Sequence, residues 1–105
     1  MNAVELALKA IAEPRRQEIL RLVWSQERAA GDTARHFDVS RPAISKHLRV
    51  LREAGLVAER RSGTQRLYTA RTESVAELRR FLESFWDEGL HAIKHAAETG
   101  SKGGS

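Results

Sequence analysis

The sequence contains no cysteine. Disulfides, thiolate metal sites and cysteine nucleophiles are therefore excluded, and a reducing compartment is suited to it. No apolar run approaches the roughly 20 residues that a membrane helix needs. The opening Met1-Asn2-Ala3-Val4-Glu5 has no basic start followed by an apolar core. No secretory leader is expected, and the expected location is cytoplasmic. Catalytic patterns are missing too. No Ser/His/Asp spacing, paired acid or glycine-rich phosphate loop stands out, so neither an enzyme nor a cofactor is expected.

What is present is positive charge, unevenly placed. The 105 residues make one domain by length and carry a formal net charge of +4. Between Arg35 and Arg66 stand eight bases (Arg35, Arg41, Lys46, Arg49, Arg52, Arg60, Arg61 and Arg66) against three acids (Asp38, Glu53 and Glu59). That segment is +5, which leaves −1 for the rest of the chain. A basic middle segment suits a polyanion such as nucleic acid. A monomer this small buries a modest core, so a partner subunit would help stabilise it.

Apolar spacing divides the chain into a mainly α fold with about five helices and a β-hairpin. Val4, Leu8 and Ile11 form a stripe on a first helix, and Pro14 suits the first turn of a second. The second helix buries Ile19, Leu20 and Val23, and the pattern then turns polar from Ser25 to Arg28. A short third helix covers Gly31 to Phe37, with Ala34 and Phe37 inward. After a tight turn at Asp38-Val39, Ser40 caps a fourth helix that ends at Gly55. Leu56–Arg60 and Arg66–Thr69 read as two strands around Ser62-Gly63-Thr64, with Tyr68 as a buried anchor. A last helix runs from about Thr72 to Ala97. The domain is expected over 1–97, with a flexible tail over 98–105.

Short helix, tight turn, capped helix and basic hairpin make the layout of a winged helix-turn-helix. On the fourth helix Ile44, Leu48 and Leu51 share one face, while Pro42, Ser45, Lys46 and Arg49 share the opposite one. Such a helix alone is compatible with a solvated basic face. Joined to a hairpin carrying Arg60, Arg61 and Arg66, it points to DNA. The alternative is a winged-helix protein-interaction or RNA-binding module. Such modules lose the basic helix face or gain exposed aromatics for stacking; this face is basic and carries none.

The runs Glu13-Pro14-Arg15-Arg16-Gln17-Glu18-Ile19-Leu20 and Val39-Ser40-Arg41-Pro42-Ala43-Ile44-Ser45-Lys46-His47-Leu48 carry a resemblance, together with Leu51, Ala54-Gly55-Leu56-Val57, Arg61, Gly63 and Tyr68. Over Ala3 to Ala97 the chain resembles the ArsR/SmtB family of prokaryotic repressors, in a branch without metal ligands. The resemblance implies a sequence-specific regulator of double-stranded DNA, a homodimer occupying a palindromic promoter operator. Carried over by position, Arg41, Pro42, Ser45 and Lys46 read the groove. Ser40, Arg49, Arg60, Arg61 and Arg66 complete the expected DNA-binding set. First and last helices pair in such dimers, so Val4, Leu8, Leu78, Leu82, Phe85, Trp86 and Ile93 are the expected dimer interface. No metal site is expected. The third helix has no thiol, and Glu88, His91, His95 and Glu98 lack the Asp-x-His that the resemblance requires near Leu82 to Ser84. His47 is expected to be structural and His36 to lie at the surface.

Overall fold

A computed structural model describes residues 2–103; the side chains at 86, 90–94 and 97–103 lie outside the described residues. Its elements are α1 (Ala3–Ile11), α2 (Pro14–Leu22), β1 (Arg28–Ala29), α3 (Ala30–Ala34), α4 (Arg41–Glu53), β2 (Val57–Ser62), β3 (Gln65–Ala70) and α5 (Thr72–Gly103). They divide into two compact units, Met1–Val75 and Ala76–Ser105.

In the first unit, α1 starts where the Asn2 side chain accepts a bond from the Glu5 amide at 2.8 Å. Its buried residues are Ala7 and Ala10. The expected stripe of Val4, Leu8 and Ile11 is only partly buried, and Leu6 is exposed. The helix thus buries its small side chains fully in the protomer and its large ones only in part. Arg16 and Gln17 of α2 donate to the carbonyls of Ala10 (2.6 Å) and Ile11 (2.7 Å). Those are among the carbonyls that a helix end leaves without partners. Pro14 begins α2, which buries Ile19 and Leu20, with Val23 buried just beyond it.

The segment expected to be merely polar before α3 contains a third strand. β1 pairs antiparallel with β3, Arg28 opposite Tyr68 and Ala29 opposite Leu67, giving the sheet order β1-β3-β2. Two residues are too short to show alternation in sequence. α3 also ends sooner than its expected limit at Phe37, and its buried residue is Thr33 rather than Ala34 or Phe37, which are half-buried. The Thr33 hydroxyl donates to the Ala29 carbonyl at 2.9 Å, so a polar side chain is fully buried yet satisfied. Phe37 lies under the Arg15 guanidinium, 5.1 Å from the ring centre.

Helix α4 organises the core. Ser40 caps it by accepting from the Ala43 amide at 3.3 Å. Ile44, Leu48 and Leu51 are fully buried beside Ile19, Val23, Leu56 and Val57 in the same core set. Gly55 adopts φ +77; its amide reaches the Arg52 carbonyl, and that of Leu56 reaches Leu51. These paired bonds end the helix and turn the chain into β2, in a conformation that favours glycine. β2 and β3 pair from Val57 opposite Ala70 to Ser62 opposite Gln65. The two-residue turn between them has Gly63 at φ +63, as the tight hairpin turn with glycine first requires. The strands exceed their expected ends, and Tyr68 is buried as expected.

In the second unit α5 continues through Gly103, past the expected end at Ala97, since each added residue extends an existing hydrogen-bonded ladder. Gly104 and Ser105, the end of the expected tail, lie outside the described residues. Phe81, Leu82 and Phe85 are exposed, whereas Leu78 is buried. The Phe81 and Phe85 rings meet edge to face at 5.5 Å. The side chains of Trp86, Leu90 and Ile93 lie outside the described residues.

His47 of α4 is half-buried, its Nδ1 3.4 Å from Nη1 of Arg16. Burial holds its pKa below the ordinary histidine value, and Arg16, Arg15 and Lys46 act in the same direction against Glu13. A base whose folded-state pKa is depressed contributes stability that is present above its unfolded value near 6.5 and lost as pH falls below it. The depressed Glu27 and Asp32 carboxyls lose theirs only in the acid range. Urea unfolding at about pH 7.5 and about pH 5.5 should therefore show a fall in the wild-type midpoint that His47→Gln largely removes. An equal fall in both proteins would assign the effect elsewhere.

Candidate nucleic-acid interface

The burial of Ile44, Leu48 and Leu51 decides which way α4 faces. With one side of the helix fixed in the core, Arg41, Pro42, Ser45, Lys46 and Arg49 stand exposed on the other. These five line a groove of about 960 Å³, walled by the start of α3 (Ala30, Gly31) and by Thr64, Gln65, Arg66 and Tyr68 of the hairpin. The Arg41 guanidinium lies against Gly31, where a Cβ would be 3.6 Å from its Cζ. Ser40 is exposed beside the groove, its Oγ engaged in the cap.

Strand alternation sorts the hairpin arginines. Arg61 is directly opposite Arg66, so the two share a face, and Glu59 and Tyr68 share it with them. Like charges opposite each other are unfavourable unless an anion comes between them. Arg60 falls on the other face. Its guanidinium makes two bonds to the Glu27 carboxylate, at 2.6 and 2.7 Å. That pairing holds the Glu27 carboxyl below its ordinary range and pushes Arg60 up. Of the nine DNA-binding residues expected from sequence, six line the groove, Ser40 and Arg61 flank it, and Arg60 is turned away and paired.

Three groove residues carry signals that sequence reasoning did not use. In sequence Arg35 is charge without a role, Arg52 only flanks the basic face of its helix, and Glu59 is only an opposing charge. The structure puts Glu59 between two elements: Arg52 Nη1 lies 2.8 Å from one of its oxygens and Arg66 Nε 3.8 Å from the other. Burial, with Glu59 beside it, pushes the Tyr68 phenol up. Asp32 holds Arg28 and Arg35, each at 2.9 Å, and these bonds keep its carboxyl low. Among the described residues, no acid lies within ion-pair distance of Arg41, Lys46, Arg49 or Arg61.

The described residues hold no group of three or more His, Asp or Glu placed to bind a metal. Glu88 and His95 are exposed, and the side chains of His91 and Glu98 lie outside the described residues. No described helix is long and apolar enough to cross a membrane.

A capped helix set behind a short helix and a turn, its basic face open beside a β-hairpin, defines a winged helix-turn-helix protein of the DNA-binding class. Residues 13–59 match the family model described as bacterial regulatory protein, arsR family. The chain is 40% identical over 84 residues to the HTH-type transcriptional regulator Rv2034 of Mycobacterium tuberculosis, spanning 80% of this chain and 78% of that protein. It is 35% identical over 81 residues to the transcriptional repressor SdpR of Bacillus subtilis, spanning 77% and 90%. A solution structure of a homodimeric winged helix-turn-helix DNA-binding domain from Mycobacterium bovis is 35% identical, with a TM-score of 0.67 over 82% of this chain and 80% of that one. The chain belongs to the arsR family of bacterial regulatory proteins, a family of DNA-binding transcription regulators and not of enzymes.

The alternation of the hairpin yields a test. Arg61→Ala should weaken binding to all duplex sequences by a similar factor, because an exposed hairpin cation meets backbone phosphates. Arg60→Ala removes a cation already paired with Glu27 on the far face, so affinity should stay within about twofold of wild type. Fluorescence anisotropy on two labelled duplexes of unrelated sequence compares them directly. Equal losses would show that the pairing with Glu27 does not persist on DNA.

Proposed function

We propose that this protein is a repressor that occupies a promoter operator as a homodimer, each α4 lying in a major groove and each hairpin running along the flanking backbone. The observation that carries the reading is the division of α4. Three of its side chains are fully buried, and the five opposite them are exposed along one open groove. A helix about 10–12 Å across fits the major groove, about 12 Å wide. In that seat Ser45 and Lys46 reach base edges, Lys46 toward guanine acceptors, and Pro42 offers an apolar contact to a thymine methyl. Arg41, Arg49 and Arg61 meet phosphates, with the α4 N-terminus at Ser40 adding its dipole. Arg66 stands in the groove wall beside Glu59.

The dimer is proposed on the apolar side chains left exposed. Phe81, Leu82 and Phe85 make a stripe on α5, and the large residues of α1 (Val4, Leu8) are incompletely buried. Apolar side chains left uncovered on a helix mark an interface, and a second copy covers them with a two-fold axis. Trp86 and Ile93, expected at the interface from sequence, join this proposal on the same helix; Leu78, already buried, does not. The reading carries with it a cytoplasmic location, which membership of a family of transcription regulators supports, and no cofactor or metal enters it.

The test is selection by purified protein from two random pools, one of DNA duplexes and one of single-stranded RNA. The wild type should enrich an imperfect palindrome whose half-sites lie about 34 Å apart, one helical turn. Leu82→Asp, which puts a charge on the α5 stripe, should lose that enrichment although every groove residue is intact. Enrichment without symmetry would contradict the dimer. Retention of single-stranded RNA with no duplex enriched would favour an RNA-binding module.

A further inference from the structure

A groove that accepts a polyanion has a carboxylate in its wall. Glu59 lies in the middle of β2, on the hairpin face that Tyr68 shares, with its side chain only 19% exposed. Its two oxygens are divided between two elements. Arg52, on α4, donates to one at 2.8 Å, and Arg66, on β3, stands 3.8 Å from the other. The two arginines remain 38% and 55% exposed and both line the groove.

Two consequences follow from that placement. The first is mechanical. α4 and the hairpin are the two elements that straddle DNA in the reading above, and one carboxylate ties a side chain of each to the same point. The second is electrostatic. A phosphate entering the groove meets a negative charge, and two of the cations that would attract it already have a partner. Besides Arg61, which flanks the groove on the hairpin, Arg41, Lys46 and Arg49 have no acid within ion-pair distance among the described residues. Those three lie on the same helix face as the base-reading positions, so their attraction is realised only when α4 itself is seated.

We propose that Glu59 is a positioning residue that sets DNA specificity: it withholds Arg52 and Arg66 from phosphates and fixes the spacing of α4 and hairpin. Sequence-independent binding is thereby kept weak, and tight binding requires base pairs that fit α4. This rests on the DNA-binding function proposed above.

The test measures affinity against salt for two probes, a random-sequence duplex and the duplex enriched by the wild-type protein. Glu59→Gln keeps the shape of the side chain and removes its charge. Each phosphate newly neutralised adds about 0.9 to the slope of log affinity against log salt. With one or two arginines released per protomer, hence two or four per dimer, the random duplex should lose about 12- to 150-fold more affinity between 50 and 200 mM salt than it does with wild type. The ratio of enriched to random affinity should fall. Glu59→Asp, which keeps the charge, should retain the wild-type slope, and adding Arg66→Gln to Glu59→Gln should take back part of the increase. A slope that is unchanged or flatter in Glu59→Gln overturns the proposal. So does a uniform weakening of both probes, the mark of a hairpin that has merely lost a structural tie. Wild-type protein that binds neither duplex at low salt would overturn the DNA-binding reading itself, an outcome distinct from wild-type binding with an unaltered Glu59→Gln slope.

Discussion

The burial of Ile44, Leu48 and Leu51 is the constraint on which the rest of the structure depends. A helix is free to rotate about its axis until one side is committed, and these three side chains commit α4 with no exposed area left. Truncating such a side chain typically costs about 2–5 kcal/mol, a large part of the stability of a domain this size. The same commitment leaves the opposite side to Arg41, Pro42, Ser45, Lys46 and Arg49. The cap at Ser40 and the turn at Gly55 bound the helix at either end, so its length and its exit into β2 are also set locally.

Electrostatics then refines what packing has positioned. The groove is basic without being indiscriminately so. Asp32 holds two arginines near α3, Glu59 lies between two more at the hairpin, and Glu27 takes Arg60 on the far side of the sheet. Exposed pairs of this kind contribute little stability, typically below about 1 kcal/mol each. Their effect is on direction and on net field. The groove cations that have no acid partner among the described residues lie on α4, where an approaching duplex also meets the side chains able to distinguish base pairs.

Much of this was legible in sequence because its signals are local. A serine followed by a proline, an apolar stripe at helical spacing and a glycine at its end locate α4 within a residue or so. A glycine between two β-prone runs locates the hairpin. What was missed depends on residues far apart in the chain. β1 is two residues long and exists because β3 offers it an edge. Arg60 looked equivalent to Arg61 until strand alternation and Glu27, 33 residues away, separated them. Glu59 read as a charge opposing the basic segment, because its link to α4 spans a turn that local pattern does not measure. On α1 the apolar spacing was real, but the protomer buries Ala7 and Ala10, and the larger stripe is only partly covered. Side-chain size in sequence does not tell which of two apolar surfaces faces the protomer's own core.

The central claim is that α4, with the hairpin beside it, is the surface that meets DNA. An amide-resolved NMR titration of the protein with a bound duplex tests it most directly. The expected result is that the largest shifts fall on Arg41 to Arg49 and on Arg61 to Arg66. The surface around Ile11, Leu20 and Trp24, none of which lines the groove, should stay nearly still. Saturable shifts concentrated at Trp24 and its neighbours, with α4 unmoved, would contradict it.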